Sequence, residues 1–268
     1  MMKKLSWVLS VVVVAACSSD PQATPSPDTG NDAGSSEAGG GRGADEDGSS
    51  PDGGTLPDAG GDADSGGVQC TAAAEQLLKP IDAVSTGQVT VLSEAAGAKT
   101  LFVDASAGGT AGASTNPRLY VNIETGTRVD VTDKTASTSS TWDLAIKRPI
   151  LFTNSGDGGS GQGGAVLIAK AFDAVTSADA TGATFAAESF FEADCTPKLD
   201  QTGAVKTSFD GWYDYDEATN GLAPHAGTWL VKGGTGKVYK VEILSYYATP
   251  DGGVGQSGGR YTLRVGAL

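Results

Sequence analysis

Strict alternation of apolar and polar residues is the feature that most restricts how this 268-residue chain can fold. The alternation runs through residues 119–123, 239–243 and 261–265, each beside a turn that contains glycine. A strand points successive side chains to opposite faces, so a period of two predicts half-buried β-strands. Shorter runs of the same kind predict further strands at residues 89–92, 101–104, 129–131, 142–147, 150–153, 165–169 and 229–232.

Helical signal is thin. Residues 71–78 have the composition for two helical turns before Pro80, and residues 178–191 are ambiguous between helix and strand. The predicted fold class is therefore mainly β, with antiparallel sheets and hairpins and one or two short helices.

The amino terminus predicts export and lipidation. Lys3 and Lys4 precede an apolar run at residues 5–14, which is too short to cross a bilayer, so residues 1–16 are predicted to be a cleaved signal peptide. The Val-Ala-Ala-Cys run that ends at Cys17 resembles a bacterial lipobox, in which the cysteine is acylated. The alternative is an ordinary secretory signal that leaves Cys17 free or removes it. Ser18 stands where aspartate would favour inner-membrane retention, so we expect an outer-membrane anchor, on the periplasmic or cell-surface face.

A long tether follows the acylated cysteine. Residues 18–67 contain no valine, isoleucine, methionine or aromatic residue, and Leu56 is their only large aliphatic side chain. Such a stretch buries too little apolar surface to offset its ordering entropy, so residues 17–67 are predicted to be a lipidated cysteine plus a disordered linker. The folded domain is then predicted at residues 68–268.

Charge excludes one class of partner. The formal net charge is −14, and residues 18–67 alone hold eleven acidic residues against Arg42. A chain with an acidic excess and no basic stripe is not expected to bind nucleic acid through its phosphates.

Two cysteines remain in the predicted domain. An even pair in an oxidising compartment favours a disulfide between Cys70 and Cys195, and two buried free thiols are the alternative. Two distant cysteines and one histidine do not form a zinc ligand set, so no structural metal is expected.

Three catalytic patterns can be tested against their required context. GSGQGG at residues 159–164 matches a dinucleotide-binding fingerprint, but a predicted strand follows it where a helix is required. GQSGG at residues 255–259 matches a nucleophile elbow, but it lies in a turn between two strands. The acidic group at Asp210, Asp214, Asp216 and Glu217 lacks calcium-loop spacing and is interpreted as a solvated turn. The sequence therefore predicts that the protein is not an enzyme.

The second half of the chain resembles a known family. WDLAIKR at residues 142–148, FTNSG at 152–156 and GQGG at 161–164 are similar to the core signature of the HmuY-like lipoproteins. GWYDYD at residues 211–216, GKVYKVEILSYY at 236–247 and RYTLR at 260–264 resemble later blocks of that family. The resemblance implies an almost all-β, lipid-anchored outer-membrane protein. Its best-known members capture haem and pass it to an outer-membrane haem receptor.

The resemblance does not supply the iron ligands. Family members hold haem iron with paired histidines or methionines, whereas the mature chain has no methionine and only His225. His225 is therefore the candidate axial ligand, acting alone, with a tyrosine or lysine, or with haem shared between two chains; alternatively it is a surface residue in a loop at 222–227. Trp142, Trp212 and Trp229 are candidate pocket aromatics, or else core residues.

Two functions follow as hypotheses. The first is a lipoprotein that binds haem for iron or haem acquisition. The second is a surface adhesion or interaction module with the same fold that does not bind haem.

Overall fold

The structure is a computed structural model and describes residues 70–268. The predicted signal peptide, the acylation site at Cys17 and the linker at residues 17–67 lie outside this range. Within residues 70–268, no helix combines the length and the apolar character that crossing a bilayer requires.

The described residues form twelve strands and four short helices, which confirms the predicted mainly β class. The helices are α1 (Thr71–Leu78), α2 (Gly109–Gly112), α3 (Asp133–Ala136) and α4 (Ser177–Thr181). The strands are β1 (Val89–Ala95), β2 (Ala98–Asp104), β3 (Leu119–Asn122), β4 (Thr127–Val129), β5 (Leu144–Lys147), β6 (Ile150–Thr153), β7 (Gly164–Ile168), β8 (Tyr213–Asp216), β9 (Gly221–Pro224), β10 (Thr228–Lys232), β11 (Val238–Ser245) and β12 (Arg260–Ala267).

Two large antiparallel sheets pack face to face. The first has six strands in the order β1-β2-β12-β11-β10-β7, and the second has four in the order β4-β3-β5-β6. Their inward side chains interdigitate in one apolar core, to which Leu263 and Val241 contribute from the first sheet and Val121 and Ile146 from the second. In β11 and β12 the apolar residues of the alternating pattern therefore point into this core, and the polar residues between them lie on the opposite face of the sheet.

The four-stranded sheet is buried on both faces. Its second face carries Tyr120, Ala145 and Phe152, which pack with Phe190 and Phe191 in a separate core. Helix α1 covers this core with its apolar side chains. Burial on both faces explains why β5 and β6 are almost continuously apolar instead of alternating.

A third, two-stranded sheet corrects the sequence analysis. Strands β8 and β9 form a hairpin that was not predicted. Asp214 and Asp216, interpreted as part of an acidic turn, lie on β8. The predicted loop at residues 222–227 begins inside β9, and His225 follows that strand directly. The ambiguous segment at 178–191 is helical only through the end of α4, at Thr181.

A disulfide joins Cys70 to Cys195 across 125 residues of sequence. Cys70 lies immediately before α1, and Cys195 follows the segment that contains Phe190 and Phe191. The bond therefore joins helix α1 to the segment that contains Phe190 and Phe191, and both pack on the second core.

Removing this bond is expected to destabilise the domain. The Cys70→Ser/Cys195→Ser variant should lose about 2–5 kcal/mol of unfolding free energy, because the unfolded chain regains the freedom of a long loop. Guanidinium unfolding with and without reductant measures the effect. Reductant should lower the midpoint of the wild-type protein and leave the double variant unchanged; a wild-type midpoint insensitive to reductant would contradict the prediction.

Candidate functional site

The family-like residues around Asp143 form a buried network between the two large sheets. Asp143 is 3% exposed. Its carboxylate accepts the Ile123 N–H at 2.8 Å, beside β3, and the Gly234 N–H at 3.0 Å, in the turn between β10 and β11. Burial raises the pKa of Asp143, and the two backbone donors oppose that rise. A carboxylate held in this way aligns one end of the sandwich.

Asn154 extends this network into the glycine run. Its side-chain amide donates to the carbonyl oxygens of Ser139 and Trp142, at 2.7 and 3.0 Å, and its side-chain oxygen accepts the Gly161 N–H at 2.9 Å. A Cβ at Gly161 would lie 2.7 Å from the Asn154 carbonyl oxygen, so only glycine fits there. The run then enters β7, a strand, as predicted, and its glycines have a packing role.

Glu188 is a second buried carboxylate, and it holds the segment that covers the second core. It is 3% exposed, and it accepts hydrogen bonds from the backbone N–H groups of Thr153 and Ser208, at 2.7 and 2.8 Å, and from both hydroxyls. Burial raises the pKa of Glu188 above its ordinary value of 4.5, although the four donors oppose the shift.

The stability contribution of Glu188 should depend on pH. The folded state holds the Glu188 proton more tightly than the unfolded chain does. The stability of the wild-type protein relative to Glu188→Gln should therefore fall as pH rises above about 4.5. Denaturant unfolding from pH 4 to 7 measures this difference, and Glu192→Gln, at an exposed glutamate, controls for the loss of one charge. A difference that grows with pH would contradict the assignment.

A large cavity lies where the β8–β9 hairpin meets the end of the six-stranded sheet. Its volume is about 870 Å³. Four tyrosines line it: Tyr213 and Tyr215 from β8, and Tyr246 and Tyr247, which directly follow β11. We call it the tyrosine cavity. The walls of this cavity come from separate segments, so no local pattern predicts it. The Tyr-Asp-Tyr-Asp alternation of residues 213–216 does indicate a strand with an aromatic face.

Two arginines complete the cavity. Arg260 is paired with Asp104 at 3.1 Å, whereas Arg148 has no ion pair within residues 70–268. Arg148 occupies the two-residue turn between β5 and β6 with a φ of 51°, a left-handed conformation that is costly for a side chain with a Cβ. Its carbonyl oxygen accepts the Tyr261 hydroxyl and its N–H donates to Ala105, so neighbouring groups hold the strained turn in place.

The predicted ligand His225 lies outside the cavity wall. In the hairpin register, Tyr213 pairs with Pro224 and Asp214 with Ala223, so the tyrosines and Asp214 point to opposite faces. The Nε2 atom of His225 lies 2.6 Å from Oδ1 of Asp214, on the face away from the cavity. Within the described part of the chain, no three His, Cys, Asp or Glu side chains come together as a metal site.

The three tryptophans pack in the cores. Trp142 is fully buried in the second core, and Trp229 packs against Phe209 in the first. Trp212 lies behind the tyrosine cavity, with its ring centre 5.8 Å from that of Tyr246, and it also lines a smaller cavity of about 190 Å³. Their predicted contact with a ligand stays a prediction, and the aromatic walls of the larger cavity are tyrosines.

The described residues thus form an all-β sandwich with an aromatic cavity at one end. A family model of the HmuY protein matches residues 114–261, more than half of the chain, and the chain therefore belongs to the HmuY family. This confirms the resemblance found in the sequence. No curated protein sequence matches the chain significantly.

Solved structures with similar chains come from three bacteria. A candidate lipoprotein of Bacteroides fragilis is 16% identical, with a TM-score of 0.40, over 66% of this chain and 93% of its own. A candidate HmuY-like haem-binding protein of Bacteroides vulgatus is 14% identical, with a TM-score of 0.40, over 66% and 96%. The apo HmuY analog of Tannerella forsythia is 14% identical, with a TM-score of 0.39, over 69% and 99%.

Proposed function

We propose that this protein is an outer-membrane lipoprotein whose HmuY domain binds haem in the tyrosine cavity. The observation that carries the proposal is the cavity itself, which combines four tyrosine rings with an arginine that has no ion pair in the described part of the chain. Its volume lies within the usual range of small-molecule and cofactor sites. Membership of a family whose best-known members capture haem supports the same ligand class.

The residues of the cavity match the chemistry of haem. A flat apolar macrocycle packs well against aromatic rings, and its two carboxylates suit guanidinium groups, which bind carboxylates through paired donors. Arg148 is held at the rim without an ion-pair partner among residues 70–268, and the strain in its backbone is of the kind that is retained at binding sites. Tyrosine oxygen is an established axial ligand for haem iron.

A haemin titration of the purified mature chain tests the proposal. A saturable shift of the Soret band at one haem per chain is expected. Arg148→Gly should weaken haemin binding roughly tenfold or more through the lost charge-assisted contact. Its unfolding free energy should stay within about 1 kcal/mol of the wild type, because relief of the left-handed strain offsets the freedom of glycine.

Two further variants separate the alternatives. Arg264→Ala removes the same charge from the outer face of the six-stranded sheet, where Arg264 pairs with Asp173, and it should not change haemin affinity. Loss of the Soret shift in His225→Ala would assign the iron to His225, as the sequence predicted, and would contradict binding in the cavity. A wild-type spectrum identical to that of free haemin would favour the interaction module that does not bind haem.

We further propose that acylated Cys17 anchors the protein in the lipid bilayer and that residues 18–67 are a spacer before the domain at 68–268. The lipobox supports the anchor, and a disulfide in the described domain is consistent with export to an oxidising compartment. An outer-membrane haem receptor is the partner that this arrangement suits.

The anchor and the domain boundary are tested separately. Cys17→Ser should move the protein from the membrane fraction to the soluble fraction, and a variant that stays in the membrane would contradict lipid anchoring. Mild proteolysis of the wild type should release an intact fragment that begins near Val68, identified by mass spectrometry. Cleavage at equal rates within residues 119–265 would contradict the boundary.

A further inference from the structure

Two of the four hydroxyls of the tyrosine cavity hold their protons more tightly than an ordinary tyrosine does. Burial raises the pKa of Tyr246 to about 12, and the nearby charge of Arg148 only partly opposes this. Burial also raises the pKa of Tyr213, and Asp200 and Asp210 raise it further. Neither hydroxyl is suited to become an anionic oxygen ligand.

The hydroxyls of Tyr247 and Tyr215 make different hydrogen bonds. The Tyr247 oxygen accepts the Leu222 N–H at 3.0 Å and so joins the hairpin to the end of the six-stranded sheet. Tyr215 is 52% exposed, and its hydroxyl donates to the side-chain oxygen of Asn220 at 2.6 Å. Asn220 is itself exposed, so a water molecule can donate to its side-chain oxygen when the Tyr215 hydroxyl takes another partner. Tyr215 is thus the cavity tyrosine whose oxygen is both accessible and free of a structural role.

We propose, on the basis of the haem binding inferred above, that the Tyr215 phenolate oxygen binds the iron of a ferric tetrapyrrole and makes the cavity selective for the ferric state. On binding, the Tyr215 hydroxyl releases one proton to solvent and no electron is transferred. The porphyrin dianion leaves ferric iron with one positive charge, which a single phenolate neutralises. Ferrous iron in the porphyrin dianion carries no net charge and attracts a phenolate less strongly, and hard oxygen donors suit the more highly charged metal.

Three probes and two variants test this assignment. The probes are ferric haemin, haemin reduced with dithionite, and metal-free protoporphyrin IX, each titrated into the purified mature chain by quenching of intrinsic fluorescence. The variants are Tyr215→Phe and its matched control Tyr247→Phe, which removes a hydroxyl from the same cavity. Visible spectra of the ferric complexes report the phenolate ligand independently of affinity.

The wild type should bind ferric haemin at least about tenfold more tightly than protoporphyrin IX, and reduction should remove most of that advantage. Tyr215→Phe should abolish the advantage while leaving protoporphyrin affinity unchanged, because the aromatic walls remain. Tyr247→Phe should keep the ratio of the two affinities. The spectrum of the ferric complex should change in Tyr215→Phe only.

The outcomes distinguish the two proposals. If neither haemin nor protoporphyrin IX binds the wild type, the proposed haem function is wrong. If both bind with equal affinity, or if Tyr215→Phe keeps the wild-type ratio and spectrum, haem binding stands and the role of Tyr215 is overturned. Loss of the ratio in Tyr247→Phe alone would transfer the ligand role to Tyr247.

Discussion

The buried carboxylate of Asp143 is the interaction on which the sandwich depends. It bonds a backbone N–H beside the four-stranded sheet and another in a turn of the six-stranded sheet, so one side chain fixes how the two layers meet. Glycine is required alongside it, since a Cβ at Gly233 would lie 2.2 Å from the Asp143 carboxylate. Burying this charge is costly, and the two N–H donors offset that cost only while the layers keep their alignment. The residues that make the chain look like its family are therefore largely residues that assemble the scaffold.

Local pattern predicted most of the fold. Strand β6 and helix α1 lie where the sequence places them, because apolar periodicity and the position of Pro80 are local signals. The β8–β9 hairpin was missed because its acidic residues suggested a solvated turn, although Tyr213 and Tyr215 alternate with them. The tyrosine cavity was beyond prediction for another reason: Arg148, the hairpin and the end of β11 meet only through long-range strand pairing. His225 was singled out as the sole histidine, yet hairpin register turns it away from that cavity.

Scaffold and cavity obey different constraints. Gly161 tolerates little change because an added Cβ would collide with the Asn154 backbone, and Asn154 because its side chain makes three hydrogen bonds. Tyr215 and Arg148 are surface or rim residues whose side chains hold little of the core together. A family signature built from the first group identifies the architecture, whereas the second group carries the proposed ligand binding.

The disulfide before α1 has a mechanical consequence. A domain tethered through its amino terminus receives any pulling force at Cys70, at the edge of the second core. Without a cross-link, that load would detach α1 from the second core one turn at a time. The bond to Cys195 passes part of that load to a second segment that covers the same core. Contacts of both segments would then have to break together. With the anchor proposed above, the domain would keep its shape under a pull applied through its amino terminus.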